Sequence, residues 1–185
     1  VGYNALGANT TASNNTAMGF RCLQTNTTGA DNVAVGKSAL DVNTTGSYNT
    51  SVGTDSLGAN TTGQRNSAFA MYSLLANTTG DYNCAHGMYA LAANTTADYN
   101  VAMGYSALAT NTTGTQNVGI GANSLYSTTT GNYNSALGTS ALYANTTASN
   151  NTAVGYNSLA ANTTGGSNVA VGTNCLDACT TGNSN

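Results

Sequence analysis

The chain has 185 residues, the size of one domain, but its composition is unlike that of an ordinary globular protein. Only 5% of the residues are charged, the net charge is −3, and the three basic residues cannot form the basic stripe that nucleic-acid binding requires. No apolar run approaches the roughly 18 residues of a membrane-spanning helix. We therefore expect one domain, no nucleic-acid partner and no membrane insertion.

A 17-residue repeat organises the whole chain. Asn recurs at this spacing from Asn15 to Asn185, and we number that Asn as position 1 of each coil. Residues 1–14 fill positions 4 to 17 of a preceding coil, ten full coils cover 15–184, and residue 185 opens another. Residues 1–185 are thus predicted to form a single array of about eleven coils. Because the sequence starts and stops in mid-coil, we expect a segment of a longer fibre, or a unit that stacks end to end.

The first five positions of each coil predict a short strand. They follow the pattern N-x-A-Φ-G, in which Φ is a large apolar residue such as Val1, Met18 or Phe69. Since strand side chains alternate between faces, positions 2 and 4 are predicted to point inward, and the Ala and Gly of positions 3 and 5 outward. This smooth stripe would let another chain approach closely; alternatively, tight coils merely tolerate small residues there.

The middle of each coil predicts a second strand. Leu at position 9, a small residue at 11 and Thr at 13 share one parity, so we expect these side chains inward and positions 12 and 14 outward. Positions 15 to 17 are typical of a turn. The predicted core ladder of Leu consists of Leu6, Leu23, Leu40, Leu57, Leu74, Leu91, Leu108, Leu125, Leu142, Leu159 and Leu176.

These patterns predict an all-β fold, a parallel β-solenoid with two short strands per 17-residue coil. A helical-hairpin repeat would need about 34 residues. A single coil cannot be stable alone, because burying two large apolar side chains yields roughly 3–6 kcal/mol. Ordering its backbone costs on the order of 17–34 kcal/mol, so stability must come from stacking of coils.

Asn-Thr-Thr at positions 12 to 14 is the most conspicuous motif. With position 12 predicted outward, it forms a row of candidate N-glycan acceptors. The motif also fits a turn or a ladder of stacked Asn and Thr. Two coils, STTTG at 127–131 and CTTG at 179–182, keep both Thr without the Asn, which indicates a structural hydroxyl ladder. The candidate acceptors are Asn9, Asn26, Asn43, Asn60, Asn77, Asn94, Asn111, Asn145 and Asn162; Asn14, Asn49 and Asn150 also begin N-x-[ST] triplets.

Residues for catalysis or metal binding are sparse. The single His86 occupies apolar position 4, which favours a tolerated core substitution, and the chain has no Glu and six scattered Asp. We expect no enzyme activity, no cofactor and no metal site. Cys175 and Cys179 lie in one coil and are the one candidate disulfide; the favoured alternative is that all four Cys are small apolar fillers. The eleven Tyr fit either sugar stacking or, preferably, packing along the ladder.

The segments NVAVGKSAL (32–40), NVAMGYSAL (100–108) and NTAVGYNSL (151–159) resemble the N/S-x-A-Φ-G repeats of trimeric autotransporter adhesin heads. They are also similar to NTAΦGYxAL…NTTG arrays of bacterial surface and phage tail-fibre proteins. The resemblance covers the chain as a repeat and implies a left-handed parallel β-roll, often trimeric, used for attachment outside the cell. The Asn-Thr-Thr array more weakly resembles glycan-coated extracellular fibrils.

The favoured function is therefore a structural extracellular fibre or filament subunit, coated with N-glycans through the repeated Asn-Thr-Thr. The alternative is an adhesin or tail-fibre shaft that binds surface glycans, and an ice-binding solenoid is a weaker third hypothesis. Expected partners are further copies of the chain, packed end to end or laterally, together with covalent glycans. The expected location is extracellular or on the surface of a cell or virion.

Overall fold

A computed structural model describes residues 2–185 and confirms the parallel β-solenoid. Ten strands form one sheet in the order of the chain, every neighbouring pair is parallel, and residues 2–185 contain no helix. Val1, which the repeat assigns to position 4, lies outside the described residues. The handedness of the coil stays a prediction.

Each strand occupies positions 2 to 4 of one coil and pairs with the strand 17 residues further along. In the β2–β3 pair, for example, Val33 lies opposite Thr50 and Val35 opposite Val52. The register is the same throughout, so each position of the coil forms a column along the rod. The strands are β1 (Thr16–Met18), β2 (Val33–Val35), β3 (Thr50–Val52), β4 (Ser67–Phe69), β5 (Cys84–His86), β6 (Val101–Met103), β7 (Val118–Ile120), β8 (Ser135–Leu137), β9 (Thr152–Val154) and β10 (Val169–Val171).

The predicted second strand of each coil is wrong. Positions 7 and 9 adopt left-handed backbone angles, such as φ 53° at Asp55 and 48° at Leu57, which a β-strand cannot contain. Two tight turns replace it: the N–H of Ser56 donates to the Gly53 carbonyl at 3.4 Å, and that of Asn60 to the Leu57 carbonyl at 3.1 Å. The second half of the coil is therefore a pair of turns.

The inward direction of the Leu column is confirmed. Its side chains are completely buried from Leu23 to Leu159, half-buried at Leu6 and 37% exposed at Leu176. Every Leu of the column has φ between 48° and 54°. A left-handed residue costs roughly 1–2 kcal/mol, while burial of a Leu yields about 1.5–3 kcal/mol, so packing holds the turn in this strained form.

The predicted faces of the strand are reversed. Position 3 is buried in every strand, whereas positions 2 and 4 are half-buried or exposed. The interior is too thin for a large residue at position 3: a Cβ added to Gly119 would lie 3.4 Å from Cγ of Leu108 and 3.0 Å from Oγ of Ser124. The small residues of position 3 therefore pack inside against Leu, and they form no outer stripe for lateral packing.

Glycine at position 5 ends the strand for a conformational reason. Nine of these residues have φ between 128° and 148°, which L side chains rarely adopt. A Cβ on Gly104 would lie 2.7 Å from the carbonyl carbon and oxygen of Gly121 in the next coil. Ala70 is the exception and keeps a positive φ of 109°.

The core is narrow and half polar. Positions 1, 3, 8, 9, 12 and 15 point inward, so Leu and small apolar side chains share the interior with two columns of Asn. Position 11, predicted inward, is half-buried in most coils and exposed at Val42. Because buried amides need hydrogen-bond partners, the Asn columns determine how neighbouring coils bind each other.

Candidate functional site

The Asn of position 12 forms a buried amide ladder. Nδ2 of Asn43 donates to Oδ1 of Asn26 at 2.8 Å and to the carbonyl of Gly46 at 3.0 Å. Nδ2 of Asn60 repeats both contacts one coil later, with Oδ1 of Asn43 at 2.8 Å. Each side chain thus bonds the preceding coil and closes the turn of its own coil.

The Asn of position 1 forms a second ladder beside the first. Oδ1 of Asn32 accepts from the backbone N–H of Asn49 at 2.9 Å and from its Nδ2 at 3.2 Å. The same Nδ2 donates to the carbonyl of Gly63 at 2.9 Å, and Nδ2 of Asn60 donates to that carbonyl at 3.0 Å. Both ladders are therefore joined at the position 15 carbonyl.

These contacts overturn the predicted outward direction of position 12. The Nδ2 atom that would carry a sugar already donates two hydrogen bonds in the interior, and no volume remains for a glycan. Asn9 is exposed, with Nδ2 donating to the carbonyl of Ala12 at 3.1 Å, and the triplets at Asn14 and Asn150 also begin on exposed residues. The eight candidates that are fully buried, against prediction, are Asn26, Asn43, Asn60, Asn77, Asn94, Asn111, Asn145 and Asn162.

The two Thr columns lie on different sides of the backbone, and the predicted inward direction of position 13 is only half correct. Thr44 is half-buried, and its Oγ1 donates to the carbonyl of Thr61 in the next coil at 3.0 Å. Thr45 is exposed, as is position 14 in every other coil. The hydroxyl ladder therefore runs from hydroxyl to carbonyl, and one column of Thr faces solvent.

Two coils interrupt the position 12 ladder. Thr128 and Cys179 replace Asn, and neither donates to the coil before it. As a result, Oδ1 of Asn111 and Oδ1 of Asn162 are buried without a hydrogen-bond partner. Nδ2 of Asn145 donates to the carbonyl of Ala148 in its own coil at 3.2 Å, but in the preceding coil it reaches only Oγ1 of Thr128, at 3.4 Å.

The side chains at positions 2 and 4 of β1–β10 form a surface that we call the outward strand face. It carries large apolar residues in solvent, among them Met18 with 54% of its surface exposed and Leu137 with 50%. Sequence reasoning placed these residues inside. Their variety was the missed signal, because a stacked interior column offers nearly the same space in every coil, whereas position 4 holds Val, Met, Phe, His, Ile and Leu.

His86 lies on the outward strand face, which corrects its prediction as a core substitution. It is half-buried, its ring packs edge-on against Phe69 at 4.6 Å, and its Nε2 lies 3.2 Å from Oγ of Ser67. Burial raises the pKa of the neighbouring Cys84 thiol, so Cys84 is a poor nucleophile. Among residues 2–185, no Asp side chain hydrogen-bonds His86, and we interpret its contacts with Ser67 and Phe69 as packing.

Tyr side chains stack along the rod, as the packing interpretation predicts. Tyr82 and Tyr99 are nearly parallel with centroids 4.9 Å apart, and Arg65 lies 5.2 Å above the Tyr82 ring. Tyr126 and Tyr143 form a similar pair at 5.3 Å. In each of these pairs one face of each ring is covered by its neighbour.

The candidate disulfide is not formed, because Cys175 and Cys179 are both free thiols. They occupy separate turns of their coil, and Sγ of Cys179 instead lies 4.0 Å from the Gly182 carbonyl and from Nδ2 of Asn185. Cys22 is buried with its thiol directed at the Gly19 carbonyl at 3.1 Å, and burial raises its pKa. The free and at least half-buried Cys are consistent with small apolar residues that fill space in the coil.

An open concavity of about 550 Å³ lies where Gly58 leaves a gap in the position 10 column. Asp41 and Asp55 line it together with apolar side chains such as Leu75. Desolvation raises the pKa of Asp41; Arg21, at 3.3 Å, opposes the shift, and the charge of Asp55 adds to it. Oδ1 of Asp41 is buried without a partner.

Among residues 2–185, no three His, Cys, Asp or Glu side chains lie close enough together to hold a metal ion. That part of the chain also has no helix long and apolar enough to cross a membrane. In comparisons with known proteins, no family model, no curated protein and no solved structure matches the chain.

Proposed function

We propose that this chain is a stiff structural segment of a fibre outside the cell or on a virion surface. The observation that carries the proposal is the hydrogen bonding between coils. The Asn ladder of position 1 and the Thr ladder of position 13 run the length of the stack, and the Asn ladder of position 12 is interrupted at Thr128 and Cys179. The location is supported by the resemblance of the repeat to surface and tail-fibre arrays. Catalysis has no part in this proposal.

Side-chain bonds reinforce the backbone ladder at several points of each coil. Between coils 32–48 and 49–65, Asn49 bonds Asn32, Asn60 bonds Asn43 and Thr44 bonds Thr61, at 3.2, 2.8 and 3.0 Å. Bending the rod would stretch several of these bonds at once. Nearly the same set recurs along the stack, which suits a spacer that transmits force or holds a fixed length.

Pulling on the ends of the chain tests the mechanical proposal. We expect stepwise unravelling, because each 17-residue coil is bound mainly to its neighbours. Each step should release about 50 Å, the extended length of one coil less its rise along the rod. A single release of the whole array at low force would contradict the proposal.

Electron microscopy of immunolabelled source material would check that the chain lies in surface fibres.

Adhesion remains the second candidate, and one exposed surface favours it. The Thr of position 14 form an exposed stripe of hydroxyl groups, and position 17, three residues further along each coil, adds exposed Tyr in four coils, including Tyr48 and Tyr99. Such a stripe suits hydrogen bonding to sugars. Micromolar binding on a glycan array, lost in Tyr99→Ala, would favour an adhesin. Absence of glycan binding would leave the structural fibre as the proposed function.

A further inference from the structure

The outward strand face is an uncharged, mainly apolar surface along the rod: fourteen of its twenty side chains are apolar, and six are Ser, Thr or His. Its twenty side chains, two from each strand, include no Asp, Glu, Lys or Arg. Phe69 and Met103 expose 39% and 38% of their surface in the middle of the face, and Val171 exposes 67% at one end. Contiguous apolar patches larger than a few hundred Å² usually mark an interaction surface.

The face is large enough for a stable interface when its border is included. Ten strands at about 4.8 Å spacing and three residues in width give roughly 43 by 10 Å, or about 430 Å² per copy. Exposed apolar residues of position 6, such as Phe20, Met71 and Tyr105, border it beyond the glycine. Together they bring the burial by two copies close to the roughly 1,200 Å² of a specific interface.

We propose that a second copy of this chain covers the outward strand face, with the two sheets packed face to face about 10 Å apart. This inference rests on the proposed function, since it names the lateral partner of the fibre. A second copy presents side chains with the same strand spacing, so the two surfaces can interdigitate along their whole length. The face itself has no charged side chain, so identical faces do not repel each other; Lys37 is the one charged residue of the position 6 border.

Charges placed on the face test the proposal. We expect the native chain to sediment as a dimer with twice its 18.4 kDa mass at micromolar concentration. The double variant Met103→Lys with Leu137→Lys should be monomeric at the same concentration, an affinity loss of at least 100-fold. Both side chains already contact solvent, so the circular dichroism spectrum of the variant should stay close to that of the native chain. Its unfolding midpoint should match that of the native chain diluted until it is monomeric, because dimerisation itself stabilises the fold.

The matched control carries the same added charge elsewhere. Thr113→Lys with Thr147→Lys changes two exposed side chains of position 14 and should leave the dimer intact. A native monomer at 100 μM, a trimer, or a dimer that survives the face variant would overturn the proposal. Cosedimentation of the native chain with phosphatidylcholine vesicles, lost in the face variant, would assign the face to lipid instead. Stepwise unravelling of the monomeric variant would show that the fibre proposal stands independently.

Discussion

The inside and the outside of one coil differ in how much residue variation they accept. Position 9 is Leu in every coil and position 12 is Asn in nine of eleven, whereas position 4 holds six residue types. Inside, every coil offers nearly the same space and the same hydrogen-bond partners, so one residue fits throughout. Outside, a side chain of position 4 has solvent on one side, and Met18 and Val35 can stand in the same column.

The comparison explains why so many copies of Asn-Thr-Thr occur. The side chains of Asn43 and Thr44 both bond a neighbouring coil, and only the side chain of Thr45 is left in solvent. Regularity at positions 12 and 13 therefore marks ladder contacts, and it does not by itself mark a site of modification. Position 14 is Thr in every coil although its side chain is exposed, and the ladders do not explain that regularity. Substitutions inside and outside the coil should then differ strongly in their effect on stability.

Asn60→Ala should have the largest effect on the inside. It removes two bonds donated by Asn60 and the bond that it accepts from Asn77, and it leaves Oδ1 of Asn43 buried without a partner. We expect a loss of about 3–5 kcal/mol in the free energy of unfolding, measured in urea. Thr62→Ala, in the same coil but exposed, should change it by less than about 0.5 kcal/mol. Equal losses of unfolding free energy in the two variants would contradict the difference between interior and surface positions.

Gly104→Ala tests the backbone at the end of the strand. The residue has φ 133°, and the added Cβ would press on the Gly121 carbonyl, so we expect a loss of about 2–4 kcal/mol. The reverse change, Ala70→Gly, should raise the unfolding midpoint through a gain of about 1 kcal/mol. Gly58→Ala is the control and should be nearly neutral, because Ala92 occupies the same position without positive φ. A neutral Gly104→Ala would show that the glycine column is not needed.

Thr128→Asn should repair the interrupted ladder. The new Nδ2 would donate to the orphaned Oδ1 of Asn111, and the new Oδ1 would accept from Asn145. We expect a gain of about 1–2 kcal/mol in the free energy of unfolding. Thr130→Asn places the same residue outside and should give none. A destabilised Thr128→Asn would mean that this coil has a different interior.

The repeat predicts the fold well because stacking leaves few alternatives for a 17-residue unit. Counting alternate residues as inward was correct for Leu57 and wrong for Asn60, which is buried. Side chains alternate between faces only in extended backbone, and the left-handed turns at Asp55 and Leu57 change which of the following residues point inward. The outward strand face was missed for a related reason: Ala85 was too small to be recognised as core, and its large neighbours were assigned to the interior. Local backbone angles that packing imposes are not visible in the alternation of residue types.

The smallest expected effect concerns Asp41, at the outer edge of the coil. Burial raises its pKa above 3.8, so the folded chain binds this proton more tightly than the unfolded chain does. Stability contributed by the protonated form is therefore lost as pH rises from about 4 through the raised pKa.

Asp41→Asn should flatten this part of the curve of unfolding free energy against pH. At pH 7 the variant should differ from the native chain by about 1 kcal/mol or less, because the ion pair that it loses with Arg21 is half-exposed. Arg21→Gln should steepen the same region, since Arg21 lowers the pKa of Asp41. Parallel curves for the native chain and both variants would show that the Asp41 carboxyl is as well solvated in the fold as in the unfolded chain, and that the edge is more open than its burial indicates.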